Sequence, residues 1–339
     1  MRTEAELMDV MTTPGERLVG FMKALRGDII VLGAGGKMGP SLSILAARAL
    51  NEAKSSHKVI AVSRFSDEAA AVTMREAGVE LVSADLMDEA ALRALPDAPN
   101  VIYMAGRKFG TSGGGESLTW AMNAYLPGRV AERYRSSRIV AFSTGNVQPY
   151  LPIAYGGSNE ETPPAPVGEY AQSCLGRERV FEYFSRRNGT PVLLYRLSYA
   201  IDMRYGVLHD IGLAVYEERP IRVDAGVFVC IWQGDANDWA IRSLDLCASP
   251  ASILNATGPE TLSIRQVAEK FGALFGKPPV FEGQEAREAA FASAAKACGV
   301  MGYPSVPAAK LIEWNAEWIA SGGVMWDKPT HFEETKGKY

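Results

Sequence analysis

Six short, almost uninterrupted apolar runs mark the first part of the chain: DIIVLG from residue 28, KVIAVS from 58, VELVS from 79, NVIYMAG from 100, RIVAFST from 138 and PVLLYRLS from 191. Their lack of strict alternation predicts strands buried on both faces. The stretches between them, such as KMGPSLSILAARAL and SDEAAAVTMREAG, place apolar residues at helical spacing. Strand and helix in alternation predict an α/β fold: a doubly wound, Rossmann-type parallel sheet with helices on both sides.

Two flanking regions differ from this pattern. Thr13-Pro14-Gly15-Glu16 offers a cap, a proline for the first helical position and a returning carboxylate, ahead of Leu18, Val19, Met22 and Leu25 at helical spacing. Residues 1–26 are therefore expected to be a helical extension, and 27–200 the dinucleotide-binding domain. After about residue 200 the alternation weakens and Gly, Pro and aromatic residues become frequent, apart from one amphipathic helix in TLSIRQVAEKFGALFG with Ser263 as its cap. Residues 201–339 are expected to form mainly a smaller substrate-binding lobe, with some segments returning to the first domain, over the carboxyl end of the sheet.

The junction between the first strand and its helix reads VLGAGGKMG. Gly33, Gly36 and Gly39 allow a turn tight enough for backbone N–H groups and a helix N-terminus to meet a pyrophosphate, and Lys37 and Met38 belong to the same turn. Such a motif is weak alone and strong here, directly after an apolar strand and opening a helix. The second strand ends in Ser63 and Arg64, where an acid would normally accept from an adenosine ribose. A guanidinium pairs with a 2′-phosphate, so NADP is favoured over NAD; the alternative is an Arg64 that covers adenine or faces solvent. Asp85, with Leu86 beside it after the third strand, is a candidate for the adenine amino group or for a loop cap.

Composition narrows the class. A 339-residue chain with a net charge of -4 and no basic run has no electrostatic footprint for nucleic acid. No stretch approaches the roughly 20 apolar residues of a membrane span. The N-terminus lacks a secretory pattern, and Cys174, Cys230, Cys247 and Cys298 show neither disulfide nor zinc spacing, so a reducing cytoplasm and no metal are expected.

With these residues in view, the chain resembles the extended short-chain dehydrogenases/reductases, the NAD-dependent epimerase/dehydratase family. The resemblance runs over roughly residues 27 to 275. Its landmarks are the glycine turn, Asp85, Met104-Ala105-Gly106, Asn123, STGNVQP, Tyr170, QGDAND and NATGPETLSIRQVAE, in order. It implies that Thr144 donates to the substrate oxygen and Tyr170 is the acid/base. It further implies that Asn123 supports the site and stands with Tyr170 among the cofactor contacts, that Met104, Ala105 and Gly106 border the cofactor, and that Tyr195 and Arg196 lie near its nicotinamide end. It also implies a homodimer.

One landmark is missing. Four residues after Tyr170 the family has a lysine, and this chain has Cys174. A phenol with a pKa of about 10 needs a nearby cation, which lowers such a value by roughly 1 to 3 units. Two substitutes are available: Arg177, on nearly the same helical face and otherwise a surface or structural charge, and Lys108 in AGRKFG after the fourth strand. His209 is a candidate for the substrate side. Gly145 and Asn146 stand where sugar 4,6-dehydratases carry Asp-Glu, which argues against that reaction.

The expected function is an NAD(P)-dependent oxidoreductase or epimerase. Its substrate would be a carbohydrate-like small molecule, reacting at a hydroxyl or keto carbon of a sugar, sugar acid or polyol. Two alternatives use the same residues: a dinucleotide-binding regulatory protein, and a non-redox lyase working with Tyr170 and Lys108. Residues 229–233, SYAIDMRYG and the tail KPTHFEETKGKY are expected to shape the pocket or an interface.

Overall fold

Seven parallel strands form the central sheet: β1 (Ile29–Leu32), β2 (Val59–Ser63), β3 (Glu80–Ser83), β4 (Asn100–Tyr103), β5 (Arg138–Thr144), β6 (Val192–Leu197) and β7 (Ser252–Ala256). Their order is β7-β6-β5-β4-β1-β2-β3, so the winding reverses between β1 and β4. The computed structural model describes residues 1–108, 110, 113–327, 330–334 and 337.

The continuous apolar runs have the cause expected of them. In β1, Ile29 and Val31 join the core on one face while Ile30 and Leu32 join the other, and all four are fully buried. Both faces are covered, so no position needs to be polar.

The chain opens with α1 (Glu4–Thr12) and α2 (Glu16–Ala24), and α3 (Gly39–Glu52) and α4 (Glu68–Glu76) follow β1 and β2. α5 (Glu89–Ala94), α6 (Glu116–Trp120), α7 (Leu126–Arg133) and α8 (Gly168–Asn188) complete the crossovers to β6. The C-terminal half adds α9 (Val207–Tyr216), α10 (Gln233–Arg242), α11 (Ile264–Phe275), α12 (Ala295–Met301) and α13 (Ala308–Ala320). Leu18, Leu42, Met74 and Trp239 from α2, α3, α4 and α10 fill one face of the sheet. Leu92, Val130 and Phe181 from α5, α7 and α8 fill the other.

A second core unites Leu208, Phe271, Leu311 and Trp318 of α9, α11 and α13 with Leu7 and Met11 of α1. This lobe meets the sheet through short pairings, among them Glu288–Ala289 against Leu151–Pro152 just beyond β5. Segments of the C-terminal half also return to the sheet layer: β7 pairs with β6, and α10 packs on α3. No described helix is long and apolar enough to cross a membrane.

Two local expectations need correction. Thr13 is not the N-cap of α2: it is the C-cap of α1, where its hydroxyl donates to the Asp9 carbonyl at 2.7 Å, and α2 starts at Glu16 with Gly15 as its boundary, without a side-chain cap. α1 itself is set by a reciprocal cap, Glu6 N–H to Thr3 Oγ1 at 3.2 Å and Thr3 N–H to Glu6 Oε2 at 3.3 Å. β7 is not among the strands that the apolar runs predict, because its five residues mix Ile253 and Leu254 with the buried Asn255. The helix after Ser263 forms as expected, with Gln266 N–H donating to Ser263 Oγ at 3.3 Å.

Candidate active site

The turn after β1 is held open by packing. Gly33 has φ +90°, and a Cβ there would lie 2.6 Å from the Ala105 nitrogen; at Gly39 it would lie 2.2 Å from the Ala34 carbonyl oxygen. Glycine at these two positions lets β1, the β4 loop and α3 come together. At Gly36 an added Cβ would meet only the Gly33 oxygen, at 3.6 Å. The middle of the turn therefore leaves space beside the N-terminus of α3, which is what an incoming phosphate needs.

Along the groove from this turn, Ser63 ends β2 and Arg64 is exposed beyond it. Asp85 is exposed, and its carboxylate accepts from Met87 N–H at 2.9 Å, which is the loop-cap alternative. The Leu86 side chain belongs to the core under α5 rather than to the groove wall. Met104 continues the β1 pairing, its N–H donating to the Leu32 carbonyl at 2.8 Å, and Gly106 lies against Arg177 and Asn123.

Tyr170 sits in the first turn of α8, one turn before Cys174, on the same face. Its hydroxyl lies close to Thr144, the last residue of β5, and to Cys174, both of which bear on its ionisation. Burial raises the Tyr170 phenol well above the ordinary range, against the pull of Thr144 and the Arg177 charge. Burial likewise pushes up the Cys174 thiol, with Arg177 and Lys108 acting in the opposite sense. The two candidate substitutes for the missing lysine thus both bear on Cys174.

They do so in different ways. Arg177 is not a surface charge: it is 6% exposed, and its guanidinium donates to the Phe142 carbonyl at 2.7 Å and to Asn123 Oδ1 at 2.9 Å. Lys108 lines the cavity with Tyr170 and Thr144, and burial brings its ammonium down to about 8. Arg177 is fixed in the backbone frame, whereas Lys108 is a cation on the cavity wall.

Asn123 holds this frame rather than facing the groove, which corrects its placement among cofactor contacts. It lies in a π-helical segment, Ala121–Tyr125, and is fully buried. Its Oδ1 accepts from Arg107 N–H at 2.8 Å, and its Nδ2 donates to the Arg107 carbonyl at 2.8 Å and to Ser173 Oγ at 3.0 Å. The loop carrying Lys108 is thereby tied to α8.

Arg196 is also misplaced by sequence reasoning. It is 2% exposed, inside the body, and its guanidinium makes a double contact with Glu178 at 2.9 and 2.7 Å; Ser143 donates to the same carboxylate at 2.6 Å. Tyr195 points to the opposite face of the sheet, its hydroxyl donating to the Ala236 carbonyl at 2.8 Å. Arg196→Met would strand the buried Glu178 charge. It is expected to lower stability by about 3–5 kcal/mol in urea denaturation, and adding Glu178→Leu should recover part of that loss.

The cavity between sheet and lobe has a volume of about 290 Å³. Besides Tyr170, Thr144 and Lys108 its walls include Lys37, Ser198, Tyr205, Phe228 and Gln233. The expectation that SYAIDMRYG, residues 229–233 and the tail shape a pocket matches this lining, which includes Tyr199, Val229, Thr330, Phe332 and Glu334. Of the tail, Lys328, Pro329, Thr335, Lys336, Lys338 and Tyr339 lie outside the described residues. His209 faces a neighbouring cavity, beyond Tyr205, and not the one holding Tyr170. Tyr205, Gln148 and Gln233 reach the cavity from SYAIDMRYG, STGNVQP and residues 229–233, segments that the sequence singles out without giving these three residues a role.

Solved structures show the same fold. A UDP-glucuronic acid 4-epimerase from Bacillus cereus in complex with NAD superposes with a TM-score of 0.70 at 16% identity, over 86% of this chain and 98% of that one. A UDP-glucose 4-epimerase from Thermotoga maritima, with UDP-glucose, gives 0.70 at 15% identity over 87% and 99%. One from Thermus thermophilus, with NAD, gives 0.66 at 20% over 86% and 98%. No curated protein matches in sequence. The model of one family matches residues 29–201, from the first strand through the glycine turn, Thr144 and Tyr170 to the end of β6, and with half of its length so matched the chain belongs to the NAD dependent epimerase/dehydratase family.

Proposed function

We propose that this protein is an NAD(P)-dependent oxidoreductase or epimerase acting at a hydroxyl or keto carbon of a sugar, sugar acid or related polyol. The observation that carries the reading is Tyr170 beside Thr144 on the wall of one cavity, at the carboxyl ends of β5 and β6 and next to the glycine turn. The fold relatives bind NAD and UDP-sugars, which supports the same chemistry here.

The residues fit a dinucleotide. Gly33, Gly36, Lys37, Met38 and Gly39 would hold its pyrophosphate, and Ser63, Arg64 and Asp85 its adenosine end, with Ala105 and Gly106 along the way. When bound, the nicotinamide supplies the hydride-accepting and hydride-donating ring. The chain's own residues manage the proton. Thr144 holds the reacting oxygen in line with the phenol, and Tyr170 takes the hydroxyl proton when the carbon is oxidised and returns it on reduction. Lys108, with Arg177 behind Cys174, supplies the positive potential that favours the tyrosinate.

NADP is the preferred form in this reading. Ser63 and Arg64 stand where an acid on β2 would bind the ribose, and a guanidinium–phosphate contact contributes roughly 1.5–3 kcal/mol. Calorimetry is expected to show NADP binding about 10- to 100-fold more tightly than NAD, with Arg64→Ser bringing the two together. Protein purified with a resident coenzyme should release it on denaturation. Neither release nor heat with either coenzyme at millimolar concentration would defeat the reading.

A further inference from the structure

Just after Thr144 the cavity wall carries a polar group whose hydrogen bonding is incomplete. Gln148 closes the 3₁₀ turn Gly145–Val147 that follows Thr144, its N–H donating to the Gly145 carbonyl at 3.0 Å, so the backbone sets its place relative to Thr144. Its side chain lines the cavity and is 1% exposed. The Nε2 of this amide donates to Asn255 Oδ1 at 3.1 Å. Asn255, fully buried in β7, donates in turn from Nδ2 to the Ser158 carbonyl at 3.0 Å. Its Oδ1 is therefore the accepting end, which identifies the end of Gln148 bonded to it as the nitrogen. The other end, Oε1, has no hydrogen-bond partner among the described residues.

Asn255 does not line the cavity, whereas Gln148 does. The amide nitrogen thus turns into the protein and leaves the carbonyl on the cavity side. Buried carbonyls are almost always bonded, and one sealed from water without a donor carries the unfavourable desolvation of that group. A fixed, unmet acceptor in a cavity wall favours a ligand that brings a hydroxyl to it. It disfavours the same ligand with that hydroxyl removed, because binding then seals the carbonyl in for good. Phe228 and Phe291, on the same walls, discriminate less, since an apolar face tolerates small changes in the ring it covers.

We infer that Gln148 Oε1 accepts a hydrogen bond from a second hydroxyl of the substrate, other than the one that Tyr170 and Thr144 handle, so that the protein selects a polyhydroxylated molecule over its deoxy counterpart. This rests on the function proposed above and makes Gln148 a positioning and specificity residue. An ordered water is the other donor that would suit this carbonyl, and the experiment separates the two.

Protein saturated with NADPH, which cannot oxidise a hydroxyl, is titrated calorimetrically with D-glucose, D-glucuronate and UDP-glucose, and then with the mono-deoxy analogues of whichever binds. The proteins are wild type and Gln148→Met, which keeps the side-chain length and lacks the acceptor. In wild type, removing one particular hydroxyl is expected to weaken binding about tenfold or more; in Gln148→Met the parent sugar should bind that much less tightly and removal of the same hydroxyl should cost nothing further, with NADPH affinity unchanged. Gln148→Asn, which retracts the same amide, is read in the same way should Gln148→Met not fold. The inference is overturned if no sugar binds, or if wild type binds every mono-deoxy analogue as well as the parent, which would give the carbonyl to a buried water. It is equally overturned if the variant weakens parent and analogues by one common factor, the mark of a structural role. Binding is read without turnover, so failure here would leave the Tyr170 chemistry standing, and unimpaired turnover in Tyr170→Phe would count against that chemistry alone.

Discussion

Tyr170→Phe is expected to bind dinucleotide as the wild type does and to lose about 10²- to 10⁴-fold in turnover, the usual contribution of a positioned acid/base. The substitution removes one oxygen from a half-buried side chain and leaves α8 and its packing in place. Thr144 retains Asn146 N–H as a partner at 3.2 Å, so its orientation does not depend wholly on the phenol. The loss should fall on kcat rather than KM, because the hydroxyl acts on a proton in flight more than on substrate binding. Turnover is followed by nicotinamide absorbance in an oxidoreductase, or by product analysis in an epimerase that returns its hydride. Turnover within about threefold of wild type would remove Tyr170 from the chemistry and favour a regulatory role.

Much of this is legible in the chain, and the illegible part has a common cause. β1, β2, β4, β5 and β6 are legible because a strand covered on both faces is apolar at successive positions, as Ile29 to Leu32 are, whereas β3, at the sheet edge, has only Leu81 and Val82 partly covered. The glycine turn is legible because Gly33 and Gly39 answer close approaches of neighbouring backbone, a constraint few residue types satisfy. Thr144 and Tyr170 are legible only through the order of landmarks, since nothing local in STGNV or GEYAQ requires them to meet.

Arg196 shows where strand reasoning stops. Alternation along β6 says that Tyr195 and Arg196 face opposite ways, but not that Glu178 of α8 stands over one of them. A charged residue near a strand end therefore reads equally as a ligand contact or as half of a buried ion pair. The same limit hides Arg177 inside the body and Tyr205 beside Lys37: each partner comes from a distant element, and its position follows from how helices pack rather than from spacing. Asn123 is recognisable as part of the site, yet its work, clamping Arg107 to α8 through a π-helical turn, is visible only in the folded chain.

Lys108 provides the sharper test of how Cys174 is tolerated. A buried phenol resists ionisation, and a cation favours its charged form, so removing a cation must raise the pH at which tyrosinate becomes available. Arg177, held by Phe142 and Asn123, already acts on the Tyr170 phenol from behind, and Lys108 is a further cation on the cavity wall, where a substrate would meet it. Because burial brings the Lys108 ammonium down to about 8, its help is fullest below that pH and fades above it. Lys108→Met is therefore expected to move the rising limb of the oxidation pH profile upward by about 1–3 units, equivalent to a loss of roughly 10- to 1,000-fold at fixed neutral pH. Lys108→Arg should keep both the limb and most of the rate. Placing the charge back on α8, as Cys174→Lys in the Lys108→Met background, should restore part of the activity and return the limb toward its original pH. A loss of rate in Lys108→Met with an unmoved limb and no rescue would make Lys108 a packing residue, and would leave Arg177, acting through Cys174, as the cation that serves Tyr170.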